Sequence, residues 1–368
     1  MPDGRGKPAH RHRPPATNQG GPPLKPLLHP RLVNPPTGDP GLLVEFLFER
    51  RALLLDLGDN AALVPRTLLR VSHAFVSHAH MDHFAGFDRL LRLCLGRPKA
   101  LHLVGHAGFA DRVAGKLAGY TWNLAPGYAN DFTITATEVH GDGRAVRAAF
   151  RTRTGFARED AGEHPVADGV VLAEEGLRVR AAVLDHGTPC LAFAVEEPAH
   201  VNVWKAGLEA MGLTTGPWLR DLKRRVLRGD PDDTPVVAAR SGAPGGAVTV
   251  PLGALRQRAL AVVAGQRIAY VVDCGFTPGN ARRVVDLARG ADVLFIETPF
   301  LDADAGLAAG RNHLTAAQAG RLAAAAGVRR LVPFHFSPRY AGREALLAAE
   351  AEAAFRAGPA GALGLADC

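Results

Sequence analysis

Seven residues, Ser77-His78-Ala79-His80-Met81-Asp82-His83, carry the strongest chemical signal in the chain. Neutral imidazoles and a carboxylate are ligands suited to Zn²⁺ and its first-row neighbours. In an extended loop His78 and His80 point to one side, because alternate side chains share a face. Asp82 and His83 follow where the chain turns toward a helix, so they aim at a second ion close by. Three histidines and an aspartate at this spacing are poor core filler, since each would need its own buried partner. One loop leaves two such sites incomplete, and strand ends are the natural source of further ligands. His186 follows Val183-Leu184-Asp185, Asp273 closes the run Ile268-Ala269-Tyr270-Val271-Val272, and His335 closes Leu331-Val332-Pro333-Phe334. Each of these alone reads equally well as a hydrogen-bonded turn residue. Together with the loop they complete two sites, with Asp273 able to bridge both ions.

Strands must hold these groups. Residues 42–48 and 52–56 read as two strands paired through Glu49-Arg50-Arg51, and residues 73–77 as a third running into the histidine loop. Residues 86–95 read as a helix with Phe87, Leu90, Leu91 and Cys94 on one face. Further apolar strands are expected at 100–104, 132–137, 179–184, 191–195, 268–272, 293–296 and 331–334, with helices at 280–289 and 315–326. Early hairpins, late strand–helix alternation and no repeat of solenoid period predict an α+β, layered αβ/βα fold.

Between the core strands, residues 203–250 differ in character. From Lys205 to Arg228 six basic residues face Glu209 and Asp221, and the spacings Leu222/Val226 and Leu219/Leu227 allow a short amphipathic helix with a basic face. An ordinary solvated helix face explains that pattern as well.

The chain is 368 residues long and 47% hydrophobic, enough for a large core and too apolar for a disordered polymer. No run reaches the roughly 18 apolar residues of a membrane span, and no apolar leader opens the sequence. The four cysteines are scattered without a C-x-x-C pair, which argues against a disulfide framework or zinc ribbon and for a cytoplasmic location. The net charge of +7 is uneven. Residues 1–40 contribute four of those charges and 11 of the 27 prolines, so residues 1–29 are expected to be a disordered basic arm and 30–368 the folded domain. The body is then only mildly basic, which is weak evidence for nucleic acid.

The H-x-H-x-D-H loop, preceded by Leu54-Leu55-Asp56-Leu57-Gly58-Asp59, resembles the metallo-β-lactamase superfamily. Later segments narrow the resemblance to ribonuclease Z, the tRNA 3′-processing endonuclease. They are Leu184-Asp185-His186-Gly187, Val272-Asp273-Cys274, Ile296-Glu297-Thr298-Pro299-Phe300, Asn312-His313-Leu314-Thr315-Ala316-Ala317-Gln318-Ala319 and His335-Phe336-Ser337-Pro338-Arg339-Tyr340. Gly216-Pro217 before a Leu/Lys-rich helix resembles that family's tRNA-gripping arm. The likeness spans about residues 42 to 345 and implies a four-layer αβ/βα sandwich with a protruding arm inserted at 203–250.

Position by position, the resemblance implies that His78, His80 and His186 bind one zinc and that Asp82, His83 and His335 bind the other, with Asp273 bridging. Manganese is the alternative metal. Asp56 would support the histidine loop, and Glu297 and His313 would be the acid–imidazole pair near the leaving group. Two such ions about 3.5–4 Å apart clamp phosphoryl oxygens and lower the pKa of water to about 7. Asp82 would orient that water or take its proton, and His313, held by Glu297, would protonate the departing ribose 3′-oxygen. Gly216, Pro217, Lys223, Arg224, Arg225 and Arg228 would grip phosphates of a precursor tRNA, and Arg339 the scissile phosphate. A homodimer is the further partner the resemblance implies.

The sequence departs from the family pattern in four places. Met81 replaces a Gly, Ile296 replaces the histidine before Glu297, Cys274 replaces Thr, and no Gly-Thr turn is recognisable near Asn34–Pro40. None removes a ligand; all bear on pocket shape. They favour an alternative, a phosphodiesterase of the same fold acting on cyclic nucleotides or other small phosphodiesters, which the retained arm opposes. A thioester or lactone hydrolase would leave Glu297, His313 and the arm unexplained. A nucleic-acid-binding module with a vestigial metal site would have lost a ligand.

Overall fold

The computed structural model describes residues 27–47, 49–242 and 246–358. Residues 1–26 of the expected disordered arm lie outside them. Its expected end at residue 29 is corrected, because Leu28 and His29 belong to the first strand. Leu28 is buried between the sheets and its N–H donates to Gln266 Oε1 at 3.0 Å.

Eight strands form the first sheet, in spatial order as in sequence: β1 (Leu28–Leu32), β2 (Leu42–Phe46), β3 (Ala52–Leu55), β4 (Val71–Phe75), β5 (Ala100–His106), β6 (Thr133–Val139), β7 (Arg144–Arg151) and β8 (Arg158–Pro165). β3 to β6 run parallel; the flanking pairs are antiparallel. The chain continues through β9 (Val170–Glu174), β10 (Leu177–Asp185), β11 (Pro189–Glu196), β12 (Ala199–Val203), β13 (Pro235–Ala239), β14 (Ala247–Pro251), β15 (Leu260–Ala264), β16 (Arg267–Val271), β17 (Val293–Glu297) and β18 (Leu331–Phe334). Six of these make the second sheet in the order β18-β17-β16-β11-β10-β9.

Strand alternation builds the layers. Leu42, Val44 and Phe46 of β2 and Leu53 and Leu55 of β3 meet Leu191, Phe193 and Val195 of β11 between the sheets. Their neighbours Leu43 and Leu54 face the other way, onto the helices Phe87–Cys94 and Phe109–Ala118. Ala192 and Ala194 of β11 and Ala269 and Val271 of β16 likewise face the helices Pro278–Ala288, Ala316–Ala326 and Glu344–Arg356. Strands covered on both faces read as continuous apolar runs, which is why these were visible in sequence. β7, β8 and β9 were not, because β8 shows mostly charged, exposed side chains and β9 mostly half-buried ones. The result is the expected four-layer α+β sandwich.

A fourth apolar cluster belongs to the insertion. β12 and β15 lead out and back as an antiparallel ribbon, just outside the expected limits of 203–250, and β13 pairs with β14. The helix Trp218–Arg228 buries Leu222 and Val226 against Val201, Val236 and Leu255, as the first of its two expected spacings predicted; of the second pair, Leu219 is half-buried and Leu227 exposed, which narrows the apolar face. Among the described residues no helix is long and apolar enough to cross a membrane.

Histidines are also buried outside the loop and the cluster, among them His73, His106 and His200. His73 of β4 stacks on His102 with ring centroids 4.7 Å apart. Burial first, then its neighbour His102, push its pKa down from 6.5 to about 4. Between those values the unfolded chain binds more protons than the folded one, so stability is lost as pH falls through that window. Denaturant titration of metal-free protein is expected to show about 3 kcal/mol lost on this account by pH 4. His73→Leu should flatten the profile by that amount; an unchanged profile would show that His73 titrates normally.

Candidate metal centre

The parallel strands end on one side of the sandwich, and the candidate groups converge there. β4 runs through Val76 into Ser77 and His78, both buried, and His80 begins the short helix Met81–Phe84 that carries Asp82 and His83. Backbone contacts from the segment after β3 seat this helix. Leu57 N–H donates to His83 O at 2.9 Å, and Gly86 N–H donates to Leu57 O at 2.8 Å. A Cβ on Gly58 would lie 2.4 Å from Asp82 O, so only glycine lets the two segments approach this closely. His186 lies in the β10–β11 turn, Asp273 just beyond β16, Glu297 at the end of β17 and His335 just beyond β18.

Asp273 is the hub. Its Oδ2 lies 3.5 Å from His78 Nε2, 3.3 Å from His83 Nε2 and 3.6 Å from His186 Nε2. Its Oδ1 lies 2.8 Å from His335 Nδ1. On one side His78, His80, His186 and Asp273 bring ligand atoms within 4.8 Å of one another; on the other, Asp82, His83 and His335 do the same. Asp82 Oδ2 sits 3.4 Å from both His83 Nε2 and His335 Nε2. These are the two groups the sequence predicted.

A metal fits them. His83 Nε2, Asp273 Oδ1 and His335 Nδ1 are buried yet have no hydrogen-bond partner, although they face one another across short distances. Such orphaned polar atoms cost free energy in a core unless a cation takes up their lone pairs. Electrostatics agree at the first group: burial, then His83, pushes His78 down to about 2, which keeps its imidazole neutral as a ligand must be. At the second, burial opposes protonation of His83 and His335, but Asp273 beside both and Asp56 beside His83 hold the two imidazoles above their usual range, so a cation there takes the place of their protons. Burial works against ionisation of Asp82 and Asp273, but His335 and His83 outweigh it and hold both carboxyls well below the usual range.

Asp56 carries out the supporting role expected of it. Its Oδ2 accepts from Ser77 Oγ at 3.0 Å and Tyr270 OH at 2.9 Å and contacts His83 Nδ1 at 2.9 Å, while Oδ1 accepts from Ser77 N–H at 2.7 Å. That fixes the ring so that its other nitrogen faces Asp273. Asn312 does the same for His186, its carbonyl lying 2.8 Å from Nδ1. Asp56, Asp273, Asn312 and His335 all hold positive φ, between 35° and 60°. Four strained non-glycine residues around one cluster are the mark of a site fixed by its surroundings.

Glu297 is fully buried and its Oε2 sits 2.7 Å from His313 Nδ1. Its Oε1 accepts from Cys274 N–H and Leu314 N–H, each at 3.0 Å. Burial opposes both charges, yet each partner sustains the other: Glu297 is held below its usual range and His313 above. The His313 ring lies 4.8 Å from His186 and 6.0 Å from His335 between centroids, at the border of the two groups.

The departures from the expected pattern resolve locally. Ile296 precedes Glu297 in β17, so alternation turns it into the helical layer with Leu294 and away from the cluster. Cys274 is buried in that same layer. Met81 is 84% exposed and adds its bulk at the surface. The segment at 34–40, where no turn motif was recognised, is tied in by Asn34 Nδ2, which donates to Asp39 O at 2.9 Å and Asp59 O at 2.7 Å.

The substrate-binding candidates lie apart from this cluster. Arg339 is exposed in the turn Pro338–Tyr340 after His335. Gly216 and Pro217 precede the Trp218–Arg228 helix, and Trp218 Nε1 donates to Thr214 O at 2.9 Å. The basic residues already have partners: Arg224 and Arg228 reach Glu175 at 3.5 and 3.1 Å, and Arg225 reaches Asp221 at 2.6 Å. Lys223 is half-buried, and burial lowers its pKa despite Glu197 nearby. Tyr270, Ser77 and Asn312 were given no role from the sequence. Their contributions run through a hydroxyl or carbonyl that no spacing rule singles out.

Comparison with known proteins agrees with this geometry. A model of the β-lactamase superfamily domain matches residues 229–336. The metallo-β-lactamase fold protein YhfI of Bacillus subtilis superposes with a TM-score of 0.50 at 14% identity, covering 90% of this chain and 95% of that one. Fold and cluster together define a metallo-β-lactamase-fold protein with a candidate two-metal centre. Ribonuclease Z of Deinococcus radiodurans is 35% identical over 309 residues, 81% of this chain and 87% of the relative. Ribonuclease Z of Nocardia farcinica is 36% identical over 298 residues, 79% of each. The chain belongs to the ribonuclease Z family.

Proposed function

We propose that this protein is a metal-dependent endoribonuclease that removes 3′ trailers from precursor tRNA. The observation that carries the reading is the Asp273 carboxylate shared by two histidine groups, with the Glu297–His313 pair at their border. His78, His80, His186 and Asp273 would hold one ion and Asp82, His83, His335 and Asp273 the other, with zinc suited to this donor set. When bound, such ions supply Lewis acidity and an ionised water near neutral pH. The chain's own groups do the rest. Asp82, kept as a carboxylate by His83 and His335, accepts a proton at its free oxygen. His313, kept protonated by Glu297, donates one to the departing ribose 3′-oxygen.

The arm supports a large substrate. Its basic helix lies against the β9–β10 turn through Glu175, and β10 then runs nine residues to the His186 turn. That length, about 30 Å, separates the arm from the cluster, a span that a folded RNA covers and a small diester does not. The exposed ion pairs to Glu175 are worth little and exchange readily for phosphate.

The test is cleavage of a 3′-extended precursor tRNA, with bis-p-nitrophenyl phosphate in parallel. Cleavage beside the discriminator base is expected. Replacing Arg224 and Arg225 by Gln should raise KM for the RNA about tenfold and reduce the salt dependence of binding by about two phosphate contacts, leaving diester turnover unchanged. Diester turnover with intact precursor would replace this reading by the small-phosphodiester one.

A further inference from the structure

Met81 stands between two of the candidate ligands, His80 and Asp82, and yet its thioether side chain is 84% exposed. His80 beside it is exposed too, while its companions His78, His186 and Asp273 are buried. The metal cluster therefore opens to solvent on the side of His80 and Met81. A lone exposed methionine needs no explanation by itself. This one has an open cation next to it.

The helix Phe109–Ala118 starts on the same side of the sandwich, because β5 runs parallel to β4 and ends there. Phe109 packs on Phe84 with ring centroids 5.1 Å apart, and Lys116 Nζ lies over the same ring at 5.5 Å. Arg112 shares the Lys116 face, one turn nearer the start of the helix. That turn carries it past Phe84 toward the Met81 end of the short helix Met81–Phe84. His106, outside the cluster at the end of β5, reports both neighbours: burial lowers its pKa, the Ala107 carbonyl opposes that, and Arg112 and His80 each lower it further. Arg112 is exposed and has no ion pair or hydrogen bond among the described residues. The carboxylates around it are engaged elsewhere. Asp88 pairs with Lys116, Asp111 with Arg158, and Glu138 accepts from Ala110 N–H at 2.8 Å.

An open guanidinium takes a phosphate in a charge-assisted contact, and a polarisable thioether packs on the face of a base. The far side of the cluster decides which nucleotide. His186 contacts both His313 and His80, with ring centroids 4.8 Å and 5.3 Å away, so the two flank it. His313 faces the departing 3′-oxygen, and the RNA that keeps this oxygen lies on that flank. The phosphoryl group stays with the trailer, whose chain leaves on the other flank, past His80. Resting on the ribonuclease reading above, we propose that Met81 and Arg112 bind the trailer, Met81 against the base of its first nucleotide and Arg112 at the phosphate on the 3′ side of that nucleotide.

Steady-state cleavage of precursors with trailers of one and of four nucleotides tests this, since the shorter trailer lacks that phosphate. Arg112→Gln should raise KM about tenfold for the longer trailer, the loss of one charge-assisted contact. The one-nucleotide trailer and bis-p-nitrophenyl phosphate should stay within about twofold of wild type. A neutral methylphosphonate at that single linkage should cost wild type the same factor of about ten and the variant nothing further. Met81→Gly should raise KM about threefold for both trailers, a penalty that disappears when the first trailer nucleotide is abasic. An unchanged KM in Arg112→Gln overturns the assignment, and so does an equal penalty on both trailers, which would put the arginine on the tRNA body. A Met81→Gly penalty that persists on the abasic trailer overturns the base contact. Wild-type protein that leaves every precursor intact overturns the ribonuclease reading itself and this assignment with it.

Discussion

Asp273→Asn should lower kcat/KM for precursor tRNA by about 10³-fold or more and strip the purified protein of most of its bound metal. The side chain keeps its size, so the effect is one of charge. In the native arrangement a single carboxylate lies within 3.6 Å of nitrogen atoms on His78, His83, His186 and His335. An amide leaves four converging imidazoles without the anion they share, and two cations would face one another with one negative charge fewer between them. Loss of several kcal/mol of charge stabilisation corresponds to a factor of about 10³, since each 1.36 kcal/mol is tenfold. Elemental analysis of the purified variant and single-turnover cleavage are the two measurements. Full metal content together with near-native cleavage would remove Asp273 from the centre and, with it, the bridged arrangement.

His313→Ala should separate two substrates that a general defect would treat alike. General acid catalysis contributes about 10²–10⁴-fold, and a ribose 3′-oxygen needs a proton to leave. Precursor cleavage should therefore fall by about that factor in kcat. An aryloxide leaves without protonation, so turnover of bis-p-nitrophenyl phosphate should fall by less than about tenfold. Glu297 acts through His313 as a positioning residue and is tested by pH. Burial pulls the His313 pKa down and Glu297 more than compensates. In Glu297→Gln the compensation is gone, so the imidazole loses its proton at lower pH and the alkaline limb of kcat moves to lower pH. Oε1 contacts to Cys274 and Leu314 N–H can persist in that variant, which keeps the local backbone in place. Equal losses on both substrates would make His313 a structural residue.

Much of this site was legible because metal ligands obey short-range rules. The loop from His78 to His83 declares itself by residue type and spacing, and His186, Asp273 and His335 by their place at the ends of apolar runs. Strand alternation also fixes which neighbour faces the site: Glu297 turns toward it, so Ile296 turns into the helical layer. Its departure from the family pattern therefore leaves the cluster untouched. The amphipathic spacing of Leu222 and Val226 announced the arm helix, and burial of both confirms that face.

Long-range partners were not legible. Tyr270 reaches Asp56 from 214 positions away, and no local pattern marks a tyrosine in an apolar strand as the anchor of a histidine loop. Glu175 takes up Arg224 and Arg228 only because the arm folds back on the β9–β10 turn. The bare edge of β10 exists because β9 stops short, a matter of pairing register that composition does not encode. By itself, then, the sequence determined which side chains can bind metal and the alternating faces that bury the strands, since those follow from residue type and a period of two or 3.6. Tertiary structure alone decided that one carboxylate is shared by four imidazoles and that positive-φ corners aim them. It also decided that β9 pairs with β10 only along Leu177–Arg180, because distances between segments remote in sequence are set by how the two sheets pack.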